Sequence, residues 1–372
     1  MNYKIKEIST IVNGSTPSTT NQVYWNGNIV WLTPKDLTDY TFRFIYKGHV
    51  NITKEGYESC STKLVPINTL LLSSRAPIGY LAIAGTELCT NQGFKAIVCN
   101  DKLVNYLYLY YWLSTKTEYL QQISSGSTFK ELSKETLENV EIDLPSLEKQ
   151  QHIVNTIGSV DDLIENYQKR IETICDILNM SLQIYEDKVS IEYYNPEIIK
   201  SGITKFDKIK TYVDTSTLEG INNISDGEVI EYNKRPSRAN MQPVENSVWF
   251  SKMKESNKKL ILTKQDNDLI DGVILSTGFL GILASEQLPL SFLSALIISK
   301  NFNLQRDLNS VGTTMAGVNN ETFLKILVPL LTDIELKEYE SKYRPCINEL
   351  SLLRRKINQL KKIKTELLSK YF

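Results

Sequence analysis

The sequence predicts an α+β protein in which two related mixed α/β domains are separated and joined by long antiparallel coiled-coil helices. Three observations carry that prediction. An apolar seam runs through the middle of the chain, a second runs through its C-terminal stretch, and strand and loop motifs recur in the two segments that precede them. The expected division is 1–145 as first domain, 146–190 as first spacer helix, 191–329 as second domain and 330–372 as second spacer helix.

The middle seam consists of Ile153, Ile157, Val160, Ile164, Tyr167, Ile171, Ile174 and Leu178, separated alternately by four and three residues. That alternation places every apolar group on one stripe of a helix, as in a coiled coil. Pro145 closes what precedes it, Ser146 is suited to the N-cap, and Glu148 lies in the first turn, where exposed backbone N–H groups favour negative charge. A helix over 146–188 would span roughly 65 Å and would need a partner to cover its seam. The C-terminal stretch supplies one. Leu336, Tyr339, Tyr343, Cys346, Leu350, Leu353, Ile357, Leu360 and Leu367 keep the same alternation, interrupted where Lys364 takes a seam position beside Ile363. Thr332 with Glu335 forms a capping-box pattern, with Leu331 as a staple. Pro345 lacks an N–H and crowds the preceding turn, so a kink or a break is expected there, with the longer continuous helix over 346–370.

Within the first domain, Asn13 to Ser18 is polar and turn-rich, and Asn26-Gly27 predicts a tight turn before a short buried strand over 29–32. Thr33-Pro34-Lys35-Asp36 ends that strand. A strand over 69–72 runs into Ser73-Ser74-Arg75-Ala76-Pro77-Ile78-Gly79 and a further strand over 80–84, and Thr90-Asn91-Gln92-Gly93 precedes a strand over 94–98. The aromatic run 106–112 reads as a core helix, 124–130 as a loop and 140–144 as a strand. The second domain echoes this order. Residues 274–281 stand in the role of 71–79, residues 310–314 resemble 124–128, residues 248–252 resemble 29–35, and a strand ending at Pro329 precedes a helix as one does at Pro145.

Composition sets outer limits. With 41% hydrophobic and 23% charged residues, the chain reads as an ordinary soluble protein of two or three domains. No run of 18 apolar residues occurs and residues 1–20 contain no apolar signal core, so the cytoplasm is the expected compartment and no membrane is expected as a partner. Five dispersed cysteines and two histidines support neither a disulfide framework nor a zinc site. A net charge of -1 does not advertise binding to phosphates, although local basic faces can supply the attraction.

Two related units on a paired helical spacer suit a divided target, each unit reading a few base pairs while the spacer fixes their separation. Arg75, between small hydroxyl residues and a Pro-Ile-Gly turn, is the sharpest candidate in the first unit, its planar fork suited to a guanine or a phosphate. Thr33, Lys35, Asn91, Gln92, Ser127, Thr128 and Lys130 lie at expected strand-end loops. In the second unit Arg235, Ser237 and Arg238 flank Pro236 in a short basic loop, and Lys252, Lys254 and Thr277 are further candidates. Each has an ordinary alternative as a turn residue or structural ion pair.

These motifs carry a family resemblance. Gly14-Ser15-Thr16-Pro17, Tyr24-Trp25-Asn26-Gly27, Trp31-Leu32-Thr33-Pro34-Lys35-Asp36-Leu37, Ser74-Arg75-Ala76-Pro77-Ile78-Gly79, Thr90-Asn91-Gln92-Gly93-Phe94 and Leu144-Pro145-Ser146-Leu147-Glu148-Lys149-Gln150-Gln151 together resemble the specificity subunit of type I restriction-modification enzymes. The resemblance implies two target-recognition domains reading the halves of an interrupted double-stranded DNA sequence. It also implies two modification subunits gripping the helices, using S-adenosylmethionine, and restriction subunits using ATP and Mg. The second half departs from the pattern. Residues 329–335 lack the Glu-Lys-Gln-Gln sequence that follows Pro145, and Gly278 falls near the place of Arg75, so the two half-sites are expected to differ.

The same sequence argues against catalysis in this chain. It has no glycine-rich cofactor loop after a strand, no Asn/Asp-Pro-Pro-Tyr/Phe signature, no Walker loop and no persuasive metal constellation; Asn195-Pro196-Glu197 is a turn. No cofactor is expected in this subunit. The alternative function is a noncatalytic coiled-coil adaptor whose repeated domains bind proteins.

Overall fold

In the computed structural model, residues 1–372 are described except 39, 76, 127–129, 225–226 and 313–315. The chain forms two units, Met1–Glu165 with Leu360–Phe372, and Asn166–Gln359. Each combines mixed α/β layers with part of both long helices.

The first unit contains β1 (Asn2–Lys4), β2 (Ser9–Asn13), β3 (Trp25–Leu32), β4 (Phe44–Ile45), β5 (Val50–Ile52), β6 (Leu70–Ser74), β7 (Ile78–Ala84), β8 (Cys89–Thr90), β9 (Phe94–Cys99) and β10 (Glu141–Asp143). β1 pairs antiparallel with β10, tying the start of the domain to the strand that leads into the first long helix. A five-stranded sheet has the order β2-β9-β6-β7-β4 and a three-stranded sheet the order β5-β3-β8. Leu70, Leu72, Ile83 and Ile97 pack with the helix Tyr106–Ser114 and with Ile153, Val154 and Ile157 of the long helix. The aromatic run is therefore a core helix, with Asn105 accepting the Leu107 N–H at its N-cap. Asn26-Gly27 does not turn the chain back. β3 runs through it, and the register against β5 slips between Trp25 and Ile29. Asn26 adopts φ 61° and a Cβ on Gly27 would lie 2.5 Å from the Ile52 carbonyl oxygen, so this dipeptide absorbs a bulge inside a strand.

The second unit contains β11 (Lys188–Ser190), β12 (Glu197–Ile198), β13 (Lys210–Val213), β14 (Leu218–Glu219), β15 (Asn223–Ile224), β16 (Glu228–Ile230), β17 (Ala239–Met241), β18 (Ser247–Ser251), β19 (Lys259–Leu262), β20 (Val273–Ser276), β21 (Phe279–Leu283) and β22 (Leu327–Pro329). Its main sheets have the orders β12-β21-β18-β19 and β16-β13-β20-β17, and β11 pairs with β22 as β1 does with β10. Val248, Phe250, Leu280 and Ile282 face the apolar helix Leu290–Ile298 and the long-helix residues Ile174, Leu178, Leu336 and Leu350.

Strand order corrects the internal alignment. β12-β21-β18-β19 reproduces β2-β9-β6-β7, and β16-β13-β20 reproduces β5-β3-β8, including the parallel pairs β3 with β8 and β13 with β20. The Ile5 N–H donates to Val140 O as the Ile191 N–H donates to Ile326 O. The counterpart of β6 is thus β18, and that of β3 is β13. The expected pairings of 274–281 with 71–79 and of 248–252 with 29–35 fail because short apolar strands followed by small hydroxyl residues look alike, whereas ladder neighbours fix sheet position. Of the two loops matched on sequence, the described parts carry equivalent bridges, Ser125 with Glu131 and Val311 with Gly317.

The first long helix spans Leu147–Ser181, 35 residues or about 52 Å, not 146–188. The Lys149 N–H donates to Ser146 Oγ at its start. It stops short because the chain enters β11 at Lys188, leaving Ile184 exposed beyond the seam. The second long helix spans Asp333–Tyr371 without interruption, with Pro345 inside. Of the expected kink or break, no break occurs: Pro345 and Ser341 lie on an exposed face, where water can satisfy the freed Ser341 carbonyl, while buried Tyr339, Ile347 and Leu350 hold the helix on both sides. At its N-terminus the Thr332 N–H and Oγ1 both donate to Glu335 Oε2 at 2.7 Å, completing the capping box.

The helices pair antiparallel. In the second unit Ser181 meets the Tyr339 hydroxyl and Arg170 pairs with Glu349; in the first, Asp161 pairs with Lys364 at 2.8 Å. Ile153, Ile157, Ile164, Ile174, Leu178, Leu350, Leu353 and Ile357 are buried, and Val160, Tyr167, Ile171, Leu360 and Leu367 half-buried. Lys364 interrupts the apolar pattern because it neutralises buried Asp161.

Two stability predictions follow from these buried charges. Lys364→Met should cost about 3 kcal/mol in denaturant unfolding by leaving Asp161 uncompensated, while Asp161→Leu with Lys364→Met should recover most of it; equal losses in both variants would show that the pair does not matter. Lys259 on β19 is 3% exposed, and burial, aided by the positive charge of Arg306, pushes its ammonium down to about 8 from 10.5. The unfolded chain holds this proton more tightly, so stability should rise as pH increases from about 8 to about 10.5. Lys259→Met should stabilise the protein at neutral pH and flatten that rise, as measured by thermal unfolding across the pH range.

Candidate nucleic-acid interface

In the first unit four chain segments converge where β3, β6 and β8 end and β9 begins. The Asn91 N–H donates to Leu32 O at 2.8 Å, the Ser74 N–H to Gly93 O at 2.7 Å, and the Leu132 N–H to Ser74 O at 2.9 Å. A Cβ on Gly93 would lie 2.8 Å from Pro34 Cγ, so glycine is needed where the two turns touch. The second unit repeats the arrangement. The Lys252 N–H donates to Gly278 O at 3.0 Å, and the Val318 N–H donates to Lys252 O at 2.9 Å. Gly278 therefore corresponds to Gly93 and not to Arg75; Lys252 corresponds to Ser74, and Met253 to Arg75.

Several candidate side chains shape these loops. Thr33 Oγ1 donates to Asp36 Oδ2 at 2.8 Å, the Gly93 N–H donates to Asn91 Oδ1 at 2.9 Å, and Lys130 Nζ donates to Gln121 O at 3.3 Å. Gln92 is exposed, with its Oε1 accepting from Thr16 Oγ1 at 2.6 Å, and Lys35 is exposed on the neighbouring turn. Arg75 Nη1 lies 3.9 Å from Glu131 Oε2. Ser127 and Thr128 fall outside the described residues.

In the second unit Arg235 turns back onto its own loop. Its guanidinium lies 4.2 Å from the Tyr232 ring centroid, Nη1 donates to Tyr232 O at 2.6 Å, and Nε donates to Ala239 O at 3.2 Å. Arg238 and Ser237 are exposed. Thr277 N–H donates to Arg238 O at 2.9 Å, and a Cβ on Gly278 would lie 3.6 Å from Arg238 Nη2 and 3.1 Å from Thr215 Cγ2. Lys252 Nζ donates to Thr277 O at 3.0 Å, and burial lowers its pKa. Lys254 is exposed beside it. Arg238, Lys252, Thr277 and Thr215 thus share one sheet end.

Sequence reasoning missed Thr215, Lys95 and Glu131. Lys95 was visible as the one charge in the apolar run 94–98, but Glu131, distant in sequence, gave no local sign. Lys95 Nζ lies 3.7 Å from Glu131 Oε1; burial lowers the lysine's pKa, and Glu131 opposes that shift. Among the described residues, no cluster of three or more histidine, cysteine, aspartate or glutamate side chains could hold a metal ion, and no helix is long and apolar enough to cross a membrane.

Residues 1–175 match the type I restriction modification DNA specificity domain family. That match covers the first unit and most of the first long helix, a little under half of the chain. It is 44% identical over 233 residues to the type I restriction enzyme MjaIX specificity subunit of Methanocaldococcus jannaschii, covering 61% of this chain and 54% of that relative. Against the EcoR124I/EcoR124II specificity subunit of Escherichia coli it is 22% identical over 205 residues, covering 52% and 49%. The chain spans about half the length of these curated relatives. Among solved structures, the S subunit of a type I restriction-modification system from M. genitalium aligns over 100% of this chain and 96% of its own, with TM-score 0.50 and 15% identity, a likeness of fold. The specificity-family match to 1–175 takes in the whole first sheet-end cluster and most of the first long helix.

Proposed function

We propose that this chain is the noncatalytic DNA sequence-recognition subunit of a type I restriction-modification complex. The observation that carries the reading is the repetition of one sheet topology, with a cation-bearing sheet end in each copy, in a chain whose residues 1–175 match the specificity family. Residues 1–145 and 191–329 are the target-recognition domains in this reading, and 146–190 and 330–372 the spacers that bind two modification subunits. Those partners would bring S-adenosylmethionine for adenine methylation, and restriction subunits would bring ATP and Mg, all in the cytoplasm.

The local chemistry divides the candidate side chains by task. Thr33, Asn91, Lys130 and Arg235 spend their polar atoms on neighbouring loop groups, which stiffens the surface. Exposed Lys35, Gln92, Ser237, Arg238 and Lys254, with half-buried Arg75, are the groups for phosphates and base edges, and Lys252 and Thr277 buttress the second set.

The purified chain alone should transfer no methyl group from S-adenosylmethionine, whereas addition of an adenine-methylating partner should produce methylation at an interrupted sequence. Transfer by the isolated chain would sink this reading, as would the absence of any sequence preference in the complex. With half-sites varied independently, Arg238→Ala should weaken discrimination or affinity at the second half-site by about 1–3 kcal/mol if it touches a base, and lower the salt dependence if it touches phosphate. Arg235→Ala should chiefly loosen its loop. Unchanged binding and preference in Arg238→Ala would remove that residue from the reading surface.

A further inference from the structure

Arg75, Lys95 and Glu131 form a charged triad in the first unit that the fold itself does not require. Lys95 is 7% exposed in its side chain, Glu131 44% and Arg75 40%. Each carboxylate oxygen faces one cation, Oε1 toward Lys95 Nζ at 3.7 Å and Oε2 toward Arg75 Nη1 at 3.9 Å. Both separations exceed direct hydrogen-bond reach, so the cluster is electrostatic and keeps donor and acceptor capacity for an outside group.

The second unit provides an internal control. The backbone bonds that equate Ser74 with Lys252, and the bridges that equate Glu131 with Gly317, place Met253 at the position of Arg75. Leu72 pairs with Lys95 in β6 and β9 as Phe250 pairs with Leu280 in β18 and β21, so buried Leu280 takes the place of Lys95. The same sheet end closes with methionine, leucine and glycine where the first unit has arginine, lysine and glutamate. Burying an ammonium is costly, and apolar replacements of buried ion pairs are commonly neutral or stabilising. The charges therefore serve the surface.

Their arrangement also selects between surface roles. A phosphate anchor works best as an unopposed cation, and a half-exposed carboxylate within 4 Å of both cations repels phosphate. A neutral base edge suffers no such repulsion, and the guanidinium fork has five donors, of which the carboxylate faces one nitrogen. Guanine O6 and N7 are the acceptors in the major groove that match a held fork.

We infer that Glu131 is a specificity-determining residue of the first half-site, positioning the Arg75 fork for the base edge of a G·C pair and keeping it from acting as a phosphate clamp, with Lys95 as the buried counter-ion behind it. This inference rests on the DNA-recognition reading above. Glu131 acts through Arg75, so its effect is on which sequences are chosen more than on how tightly DNA is held.

The test uses the chain assembled with its modification subunits and duplex libraries in which either half-site is randomised. Glu131→Gln should lower preference for one G·C pair of the first half-site on the order of tenfold. The second half-site should be unchanged, and the slope of log affinity against log salt should shift by less than one phosphate contact. Tighter binding to all sequences with a steeper salt slope and an intact first half-site would overturn the inference, as would no change at all. The triple variant Arg75→Met, Lys95→Leu, Glu131→Gly should fold with an unchanged thermal midpoint and lose the same preference. If it unfolds, the charges are structural and the inference fails. If the wild-type complex shows no sequence preference, it is the DNA-recognition reading that falls.

Discussion

A buried arginine fork fastens each sheet system to a long helix, fixing by directional hydrogen bonds what the apolar seam holds only by contact. In the first unit Arg43, just before β4, reaches Glu165 at 2.9 Å, Asp162 and the Tyr111 hydroxyl at 3.3 Å. Burial alone would lower the guanidinium's pKa, but the hydrogen bonds it donates to Glu165 and Asp162 outweigh that and raise the pKa. In the second unit Arg354 on the second long helix reaches Asp266 at 2.9 Å and Asp268 at 2.7 Å, with Ser351 Oγ donating to Asp266 at 2.7 Å. Burial opposes the ionised form of Asp268, and the Arg354 contacts more than compensate, leaving its pKa lowered. A planar fork satisfied from two sides constrains direction as well as distance, which an apolar contact does not.

The two forks run in opposite senses. In the first unit the arginine lies beside the sheet and the acids on the helix; in the second the arginine is on the helix and the acids follow β19. The shared topology of the two units thus does not extend to the chemistry that fixes each to its helix. What repeats is the backbone: the terminal strand pair, the sheet order and the bonds around Gly93 and Gly278.

This distinction explains which features were legible in the sequence. Heptad spacing reports a seam because the helix period is local, and Thr332 with Glu335 reports a cap for the same reason. Pro345 does not break the helix because its cost depends on which face it occupies, a tertiary fact. Asn26-Gly27 misled because the same positive-φ preference serves a hairpin turn and a bulge. Arg75 and Arg238 stood out as cations in loops, but Lys95 acquires meaning only beside Glu131, and strand-to-strand correspondence only through ladder partners.

A scaffold that keeps its backbone bonds while exchanging its side chains can present different chemistry at the same place. Gly93 packs under Pro34 and Gly278 beside Thr215 and Arg238, so the turn geometry survives a change from a rigid ring to a polar and cationic neighbourhood. The sheet end tolerates Lys95 or Leu280 because the strand pairing is made by main-chain atoms. The two glycines stay small because neighbouring side chains crowd them, Pro34 at Gly93 and Thr215 at Gly278, and the main-chain bonds of each turn are kept although those neighbours differ. Physical freedom of this kind is what two units of one topology need if they are to carry unlike binding surfaces.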